Sequence, residues 1–180
     1  LRDRMKFFKK APETEKIVKS LQNNNDIYLV PAFTGLGAPY WDANARGVLS
    51  GITRDTSPKE IVRATIEAVA YQTHDLFEAM KHDGLRPKIV KVDGGMVMNN
   101  WFSQFLSDIV NVKVLRPKVQ ETTALGAAFM AGLYIGIYKS LKDISKNWHL
   151  DKKFSPKMKN KSRTILINGW EKAVKRALIN

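Results

Sequence analysis

The stretch of sequence best suited to hold a ligand is residues 92–100, VDGGMVMNN, in which an acid precedes two glycines and two asparagines follow. Glycine has no Cβ, so Gly94 and Gly95 permit positive φ angles and let another molecule come close to the backbone. N–H groups at the start of a helix attract phosphate. Asn99 and Asn100 suit a helix N-cap, or hydrogen bonds to a ribose or a base. These residues alone support a phosphate-binding loop and a tight strand-to-helix turn equally.

Other residue types that perform chemistry are few in this chain. Asp93 could act as a base or beside a metal, although an acid at the tip of a strand more often forms an Asx turn. The loop matches neither the G-x-G-x-x-G pattern nor the P-loop, which ends in Gly-Lys-Ser/Thr. The 3 histidines are scattered, and no pair of them sits at metal-ligand spacing together with a carboxylate. The residue pattern therefore predicts no metal site, and it favours a turn role over a chemical role for Asp93.

The segments on either side of this loop predict the strand and the helix that position it. Lys88–Val92 is a β-type run, and Val112–Leu115 is the next one along the chain. Between them, apolar residues have the spacing of one helix face, at Phe102, Phe105, Leu106 and Ile109. A strand–helix–strand order predicts an α/β domain with parallel strands and right-handed crossovers. Ligands bind at the carboxyl edge of such sheets, where this loop would lie.

The rest of the chain divides into three parts. Residues 1–22 predict leading helices interrupted at Pro12, residues 23–138 the α/β core, and residues 139–180 a basic tail with a terminal helix. That last helix has its apolar residues on one face, at Trp170, Ala173, Val174, Ala177 and Leu178.

Two further helices are predicted in the core. Ser57-Pro58-Lys59-Glu60 is a capping box with proline at the first helical position, and the helix should run to about His82 and stop at Gly84. The second lies in Ala124–Tyr138, which is too short for a membrane span and predicts a buried core helix capped by Thr122 or Thr123. It carries a stripe of small residues that would let another backbone come close, at Ala124, Ala128, Gly132 and Gly136.

Composition limits the class of protein. The 180 residues include no cysteine, which excludes disulfides and thiolate zinc sites and fits a reducing compartment, so we expect a cytoplasmic location. The net charge is +13, and its lysines concentrate at the two ends without interleaved aromatic residues. A solvated lysine surface is therefore the favoured interpretation, and we expect no nucleic-acid partner and no membrane span.

Several motifs together resemble those of one enzyme family. Residues 47–52, GVLSGI, followed at the family's spacing by residues 60–67, EIVRATIE, resemble the second signature of the FGGY carbohydrate kinases. Residues 92–100 resemble that family's nucleotide-binding loop, and residues 123–128, TALGAA, resemble the helix start that follows it. Within the family, residues 31–47, PAFTGLGAPYWDANARG, are similar to the members that phosphorylate glycerol. Residues 169–176 are similar to the C-terminus of those same members.

The resemblance implies an actin-like ATPase (ribonuclease H-like) fold, in which two such domains close over a cleft. It implies phosphorylation of glycerol by Mg-ATP to give glycerol 3-phosphate, with ATP and ADP held mainly by this domain. Carried over by position, Gly95 would contact the nucleotide through its backbone. Asn99 would hydrogen-bond the nucleoside, and Gly94 would allow the close approach.

The resemblance also implies what lies outside the chain: the catalytic aspartate, the glycerol contacts, most Mg²⁺ contacts and the first strands of this domain. We therefore expect an α/β domain incomplete at its N-terminal strands, which is inactive alone and has no catalytic residue. We also expect a homo-oligomer, because exposed strand edges recruit other chains. Two alternatives stay open: a kinase for another polyol or sugar, and a non-catalytic basic binding module.

Overall fold

Helices and short strands alternate along the residues that this computed structural model describes, 1–178. The helices are α1 (Glu13–Lys19), α2 (Pro58–His82), α3 (Asn100–Val110), α4 (Thr122–Tyr134), α5 (Leu141–Ser145) and α6 (Asn160–Ala177). The strands are β1 (Tyr28–Val30), β2 (Val48–Ser50), β3 (Ile89–Lys91), β4 (Lys113–Pro117) and β5 (Leu150–Phe154). A 3₁₀ turn at Gly95–Met98 precedes α3.

The strands form two small sheets. β1 and β2 pair antiparallel, with Leu29 opposite Leu49. β3 and β4 pair parallel, with Val90 opposite Val114, and β5 joins the other side of β4 antiparallel. β3 and β4 are the parallel pair, and the helix between them, α3, carries the chain back to the edge where β3 began. The prediction of parallel strands is therefore correct for this pair and wrong for β1 and β2, whereas β5 lies where no strand was predicted.

The capping box predicted for α2 is present. The Ser57 hydroxyl accepts the N–H of Lys59 at 3.2 Å, and the Glu60 carboxylate accepts the N–H of Ser57 at 2.9 Å. The helix ends at His82, and Gly84 follows with a φ of +85°. Local capping signals therefore place both ends of the longest helix, which packs against α1, α3 and β1.

An aromatic cluster fixes the last helix onto α2. The ring of Trp170 stacks on that of Tyr71 with 5.3 Å between centroids, and Phe105 of α3 meets Tyr71 edge-on at 5.6 Å. Trp170 is 0% exposed. The predicted inward face of α6 is confirmed, because its members Trp170, Ala173, Val174 and Ala177 are all buried.

A buried ion pair lies within the stretch that resembles the family signature. Arg63 Nε donates to Glu67 Oε1 at 2.7 Å, and the Tyr71 hydroxyl donates to the other carboxylate oxygen at 3.1 Å. Burial raises the pKa of Glu67, and the charge of Arg63 opposes that rise. Arg63 Nη1 also donates to the carbonyl of Leu21 at 2.8 Å. The pair therefore ties the segment after α1 to the middle of α2.

Gly51, the second glycine of that signature stretch, has a structural role. Its φ is +89°, and a Cβ at this position would overlap the carbonyl oxygen of Asp26. A side chain there would strain the backbone and push apart the two segments that begin β1 and end β2. Gly51 and Glu67 therefore have structural roles in this part of the fold, and neither lies on the loop at 92–100.

Three predictions about the chain's other elements are corrected. Residues 2–12 form turns and bends, and the one leading helix begins at Glu13, directly after Pro12. The segment predicted as a basic tail contains α5 and β5, which adds to the sheet of β4. Helix α4 has Glu121 at its N-cap position without a side-chain hydrogen bond, so neither Thr122 nor Thr123 caps it.

Helix α4 is also far more exposed than predicted. Met130 is 51% exposed and Tyr134 92%. The small-residue stripe receives an aromatic ring of the same chain, since a Cβ on Gly132 would come within 2.8 Å of Tyr138. An apolar composition predicts burial only where another element covers the helix, and little of this structure packs on α4. Along residues 1–178, no helix combines the length and apolarity needed to cross a membrane.

Candidate functional site

Two loops leave the carboxyl edge of the β3–β4 pair side by side. The N–H of Val92 donates to the carbonyl of Leu115 at 3.0 Å, which extends the pairing past the end of β3. The N–H of Gly94 donates to the carbonyl of Gln120 at 3.2 Å, just before α4 begins. The predicted loop, residues 92–100, therefore lies at the sheet edge where α/β proteins bind ligands.

Backbone conformation explains why one of the two residues in this loop is glycine, but it does not explain the other. Gly94 has φ +83° and ψ 175°, a backbone conformation that only glycine adopts readily. Gly95 has no positive φ, it is exposed, and a Cβ built on it would meet nothing within 4 Å. Backbone geometry thus accounts for Gly94. Nothing in the described part of the chain accounts for glycine at position 95, and the space above its backbone is open to a ligand.

Asn99 is the N-cap of α3. Its Oδ1 accepts the N–H of Phe102 at 3.0 Å, which is the helix-capping role that the sequence offered as one of two interpretations. Its Nδ2 makes only a long contact of 3.4 Å to the hydroxyl of Thr14 on α1. The oxygen of this side chain is therefore occupied by the fold, and the amide nitrogen is the group with capacity for a ligand.

Helix α1 holds the same loop from one side. The N–H of Asn100 donates to Glu15 Oε2 at 3.3 Å, and Lys19 Nζ lies 2.6 Å from Glu15 Oε1. Burial raises the pKa of Glu15, but the hydrogen bonds from Lys19 and from the Asn100 backbone outweigh it and leave that pKa below its ordinary value. Glu15 is therefore held as a carboxylate against the first turn of α3.

The sheet holds the loop from the other side. Arg116 of β4 is 6% exposed, and its Nη1 donates to the carbonyl of Val97 at 2.8 Å. Neither Glu15 nor Arg116 is predicted as a site residue from the sequence. For Arg116 a signal existed, because it follows the buried Val114 at strand period and so lies on the same inner face of β4.

The chain's own carboxylates give little support for a metal ion. Across residues 1–178, no three His, Cys, Asp or Glu side chains are grouped closely enough to hold one. Asp93, which is exposed, is the acid on the loop itself. Mg²⁺ is usually bound by one or two carboxylates together with substrate phosphates. A single loop acid fits a cation that arrives with a nucleotide.

The sequence of this chain is similar to those of known carbohydrate kinases. The C-terminal domain of the FGGY family of carbohydrate kinases matches residues 3–134. Glycerol kinase 1 of Pseudomonas aeruginosa is 54% identical over 98% of this chain. A glycerol kinase of Clostridium botulinum is 51% identical over 99% of it. The chain spans 36% of the length of each of these relatives.

Solved structures show the same fold. Plasmodium falciparum glycerol kinase with ADP superposes with a TM-score of 0.85 and 38% identity, covering 97% of this chain and 35% of that one. A ligand-bound xylulose kinase from Lactobacillus acidophilus superposes with a TM-score of 0.75 and 24% identity, covering 96% of this chain and 36% of that one. These likenesses confirm the predicted fold class, an α/β domain of the actin-like ATPase type.

Proposed function

Because this chain belongs to the FGGY family of carbohydrate kinases, we propose that it is the nucleotide-binding part of a glycerol kinase. That enzyme would transfer the γ-phosphate of ATP to glycerol and give glycerol 3-phosphate. The observation that carries the proposal is Gly95, an exposed glycine at the carboxyl edge of the parallel strands whose lack of a side chain nothing else in the described residues requires. A nucleotide that approaches the backbone would explain why position 95 has no side chain.

The loop's own residues suit the positioning of a nucleotide. Gly94 turns the backbone through a conformation closed to other residues, and Gly95 then offers an unobstructed backbone to the phosphates or the ribose. The Nδ2 of Asn99 would donate to the nucleoside while its Oδ1 stays on the helix N-terminus. Phosphoryl transfer depends mainly on such positioning and on charge neutralisation. Mg²⁺ would come with the nucleotide phosphates, with Asp93 the nearest acid that this loop offers.

Glycerol is proposed as the substrate from the relatives' names and from residues 31–47. The relatives at 54% and 51% identity are glycerol kinases, whereas the xylulose kinase is 24% identical. In the structure, the Ala38–Pro39 peptide bond is cis, and the Tyr40 hydroxyl donates to Asp75 at 2.9 Å. This loop is therefore held in one place by α2. The alternative substrate is another polyol or sugar.

The chain on its own is proposed to be inactive. None of its residues is assigned the role of abstracting the proton from a glycerol hydroxyl, because the family resemblance places that aspartate in the other domain. Purified chain incubated with Mg-ATP should release no more ADP with glycerol than without it. Glycerol-dependent turnover above that background would contradict this part of the proposal.

Nucleotide titration tests the site directly. Calorimetry of the 180-residue chain with Mg²⁺-ADP should show binding, and Gly95→Val or Asn99→Ala should weaken it about tenfold or more. Gly37→Val is the matched control, because Gly37 is also exposed and a Cβ there also meets nothing within 4 Å. Unchanged affinity in both loop variants would show that the site is assigned wrongly.

The non-catalytic alternative gives an opposite result. A basic nucleic-acid-binding module would bind duplex DNA with an affinity that falls steeply with salt, and would not bind ADP. A cytoplasmic location and a homo-oligomeric state stay predictions. Light scattering of the purified chain tests the second, since a monomer at high concentration would contradict it.

A further inference from the structure

A single buried guanidinium holds the end of the turn that joins Gly95 to α3. Arg116 Nη1 donates to the carbonyls of Val97 at 2.8 Å and Met98 at 3.3 Å. Its Nη2 donates to the side-chain oxygen of Asn100 at 3.4 Å. Two of these acceptors lie on the two residues before Asn99, and the third lies on the residue after it. The planar fork of arginine suits such a set of divergent acceptors, which the single ammonium of lysine cannot match.

Strand β5 fixes the guanidinium in turn. Arg116 Nε donates to Asp151 Oδ2 at 2.7 Å, and the guanidinium carbon lies 5.7 Å from the centre of the Phe154 ring. Lys152 Nζ adds a second donor to the Asn100 side-chain oxygen at 3.1 Å. The exposed fraction of the Arg116 side chain is only 7%. A buried cation needs all its partners, so its position is specified by this set of contacts.

The contacts of Arg116 go beyond what the strands and α3 need for their own stability. β3 and β4 pair through their backbones, and α3 is capped by Asn99 itself. The four-residue 3₁₀ turn has weak hydrogen bonds of its own, and side chains hold its end: the Ser103 hydroxyl of α3 donates to the carbonyl of Val97 at 2.9 Å, and Arg116 adds its bonds from the sheet. Arg116 links the Val97 and Met98 carbonyls of this turn to the sheet, and these two residues lie between Gly95 and Asn99.

We infer that Arg116 is a positioning residue for nucleotide binding, which holds Gly95 and Asn99 in the arrangement that receives the nucleotide. The inference rests on the proposed function, since it concerns the same site. Arg116 touches the turn and does not itself reach the ligand. Asp151 orients the guanidinium of Arg116, and its effect on nucleotide binding is therefore indirect.

Variants of Arg116 in the full chain test this inference with two measurements. In Arg116→Met, the Kd for Mg²⁺-ADP should rise about tenfold at a temperature where thermal scans show the protein fully folded. Amide hydrogen exchange of the peptide covering residues 93–99 should become faster, while exchange in the middle of α2 stays unchanged. Arg116→Lys should recover part of the affinity, and Asp151→Asn should cause a smaller loss of the same kind.

The matched control is Arg163→Met. Arg163 is a half-buried arginine that also bridges separate elements, donating to Asn111 Oδ1 at 3.0 Å and Asn160 Oδ1 at 2.7 Å, and none of its partners lies on the loop. This control should lower the unfolding temperature and leave the Kd within about twofold. Equal Kd values for Arg116→Met and Arg163→Met would overturn the inference.

The outcomes separate the inference from the proposal beneath it. A Kd that rises in Gly95→Val and stays constant in the Arg116 variants overturns the positioning role alone. A Kd that is the same in both Gly95→Val and Asn99→Ala as in the unaltered chain, or no binding of ADP by the unaltered chain, overturns both. Should Arg116→Met fail to fold, the Kd values of Arg116→Lys and Asp151→Asn decide, since each keeps a polar group at its position.

Discussion

Trp170 of α6 donates its indole N–H to the carboxylate of Asp75 on α2, with 2.8 Å between Nε1 and Oδ2 across 95 residues of sequence. The same oxygen accepts the hydroxyl of Tyr40 at 2.9 Å. One buried carboxylate therefore joins the last helix, the longest helix and the loop at residues 31–47. Burial, with the adjacent Asp75 carboxylate, raises the pKa of Tyr40, so the phenol remains a donor across the neutral range.

Replacing Trp170 by Phe should destabilise the chain by about 2 kcal/mol, because a hydrogen bond to a charged group is lost while a ring remains to stack on Tyr71. Urea unfolding followed by circular dichroism measures the change. Trp148→Phe is the control, since that half-buried indole lies over the Lys91 ammonium at 4.2 Å and should cost under about 1 kcal/mol. Equal losses in the two variants would show that the bond to Asp75 contributes nothing measurable.

The Arg63–Glu67 pair should respond very differently to single and double replacement. Arg63→Met leaves the fully buried Glu67 without its cation, and should cost about 3–5 kcal/mol. Arg63→Met combined with Glu67→Met removes both charges, and should cost clearly less than the sum of the single changes. Denaturant unfolding of all four proteins completes the double-mutant cycle, and additive losses would contradict a coupled buried pair.

Gly51 should tolerate no side chain. Gly51→Ala combines a positive φ with overlap of the Asp26 carbonyl, and should cost about 2 kcal/mol or more. Gly126→Ala is the matched control, because Gly126 lies within α4 and its Cβ would meet nothing within 4 Å. Alanine there should be neutral or stabilising by up to about 1 kcal/mol. Thermal unfolding compares the two, and a Gly51→Ala protein as stable as the control would show that the segments can move apart.

The sequence predicts well what neighbouring residues decide. The capping box at Ser57, the stop at Gly84 and the inward face around Trp170 all depend on groups within a few positions of one another, and all are present. The placement of residues 92–100 at a sheet edge also follows from local order, because β3 and β4 are joined by one helix. The order of the elements alone predicts an α/β domain, and the resemblance to the family signature specifies the actin-like ATPase fold.

The features that the sequence does not predict depend on contacts between residues that are far apart in the chain. Glu15 meets the Asn100 backbone across 85 residues, and Arg116 meets Asp151 across 35. No local pattern marks Glu15. The burial predicted for α4 failed for a related reason: an apolar helix is buried only if another element covers it, and Tyr134 remains 92% exposed. Pairing direction in β1 and β2 likewise depended on how residues 31–47 fold back.

The stability of the chain should depend on pH through Glu15. Its folded-state pKa lies below the ordinary value of about 4.3, so the folded state binds a proton at Glu15 less readily than the unfolded state does. Its contribution is therefore fully present above the unfolded pKa and is lost as the pH falls through the folded pKa. Glu15→Gln should be less stable than the unaltered chain at pH 7, and the gap should close towards pH 3. Glu13→Gln is the control, since Glu13 on the same helix accepts the exposed backbone N–H groups of Lys9 and Lys10 and makes no ion pair among residues 1–178. Urea midpoints of the three proteins at several pH values measure the gap, and one that stays constant with pH would refute the assignment to the Glu15 carboxylate.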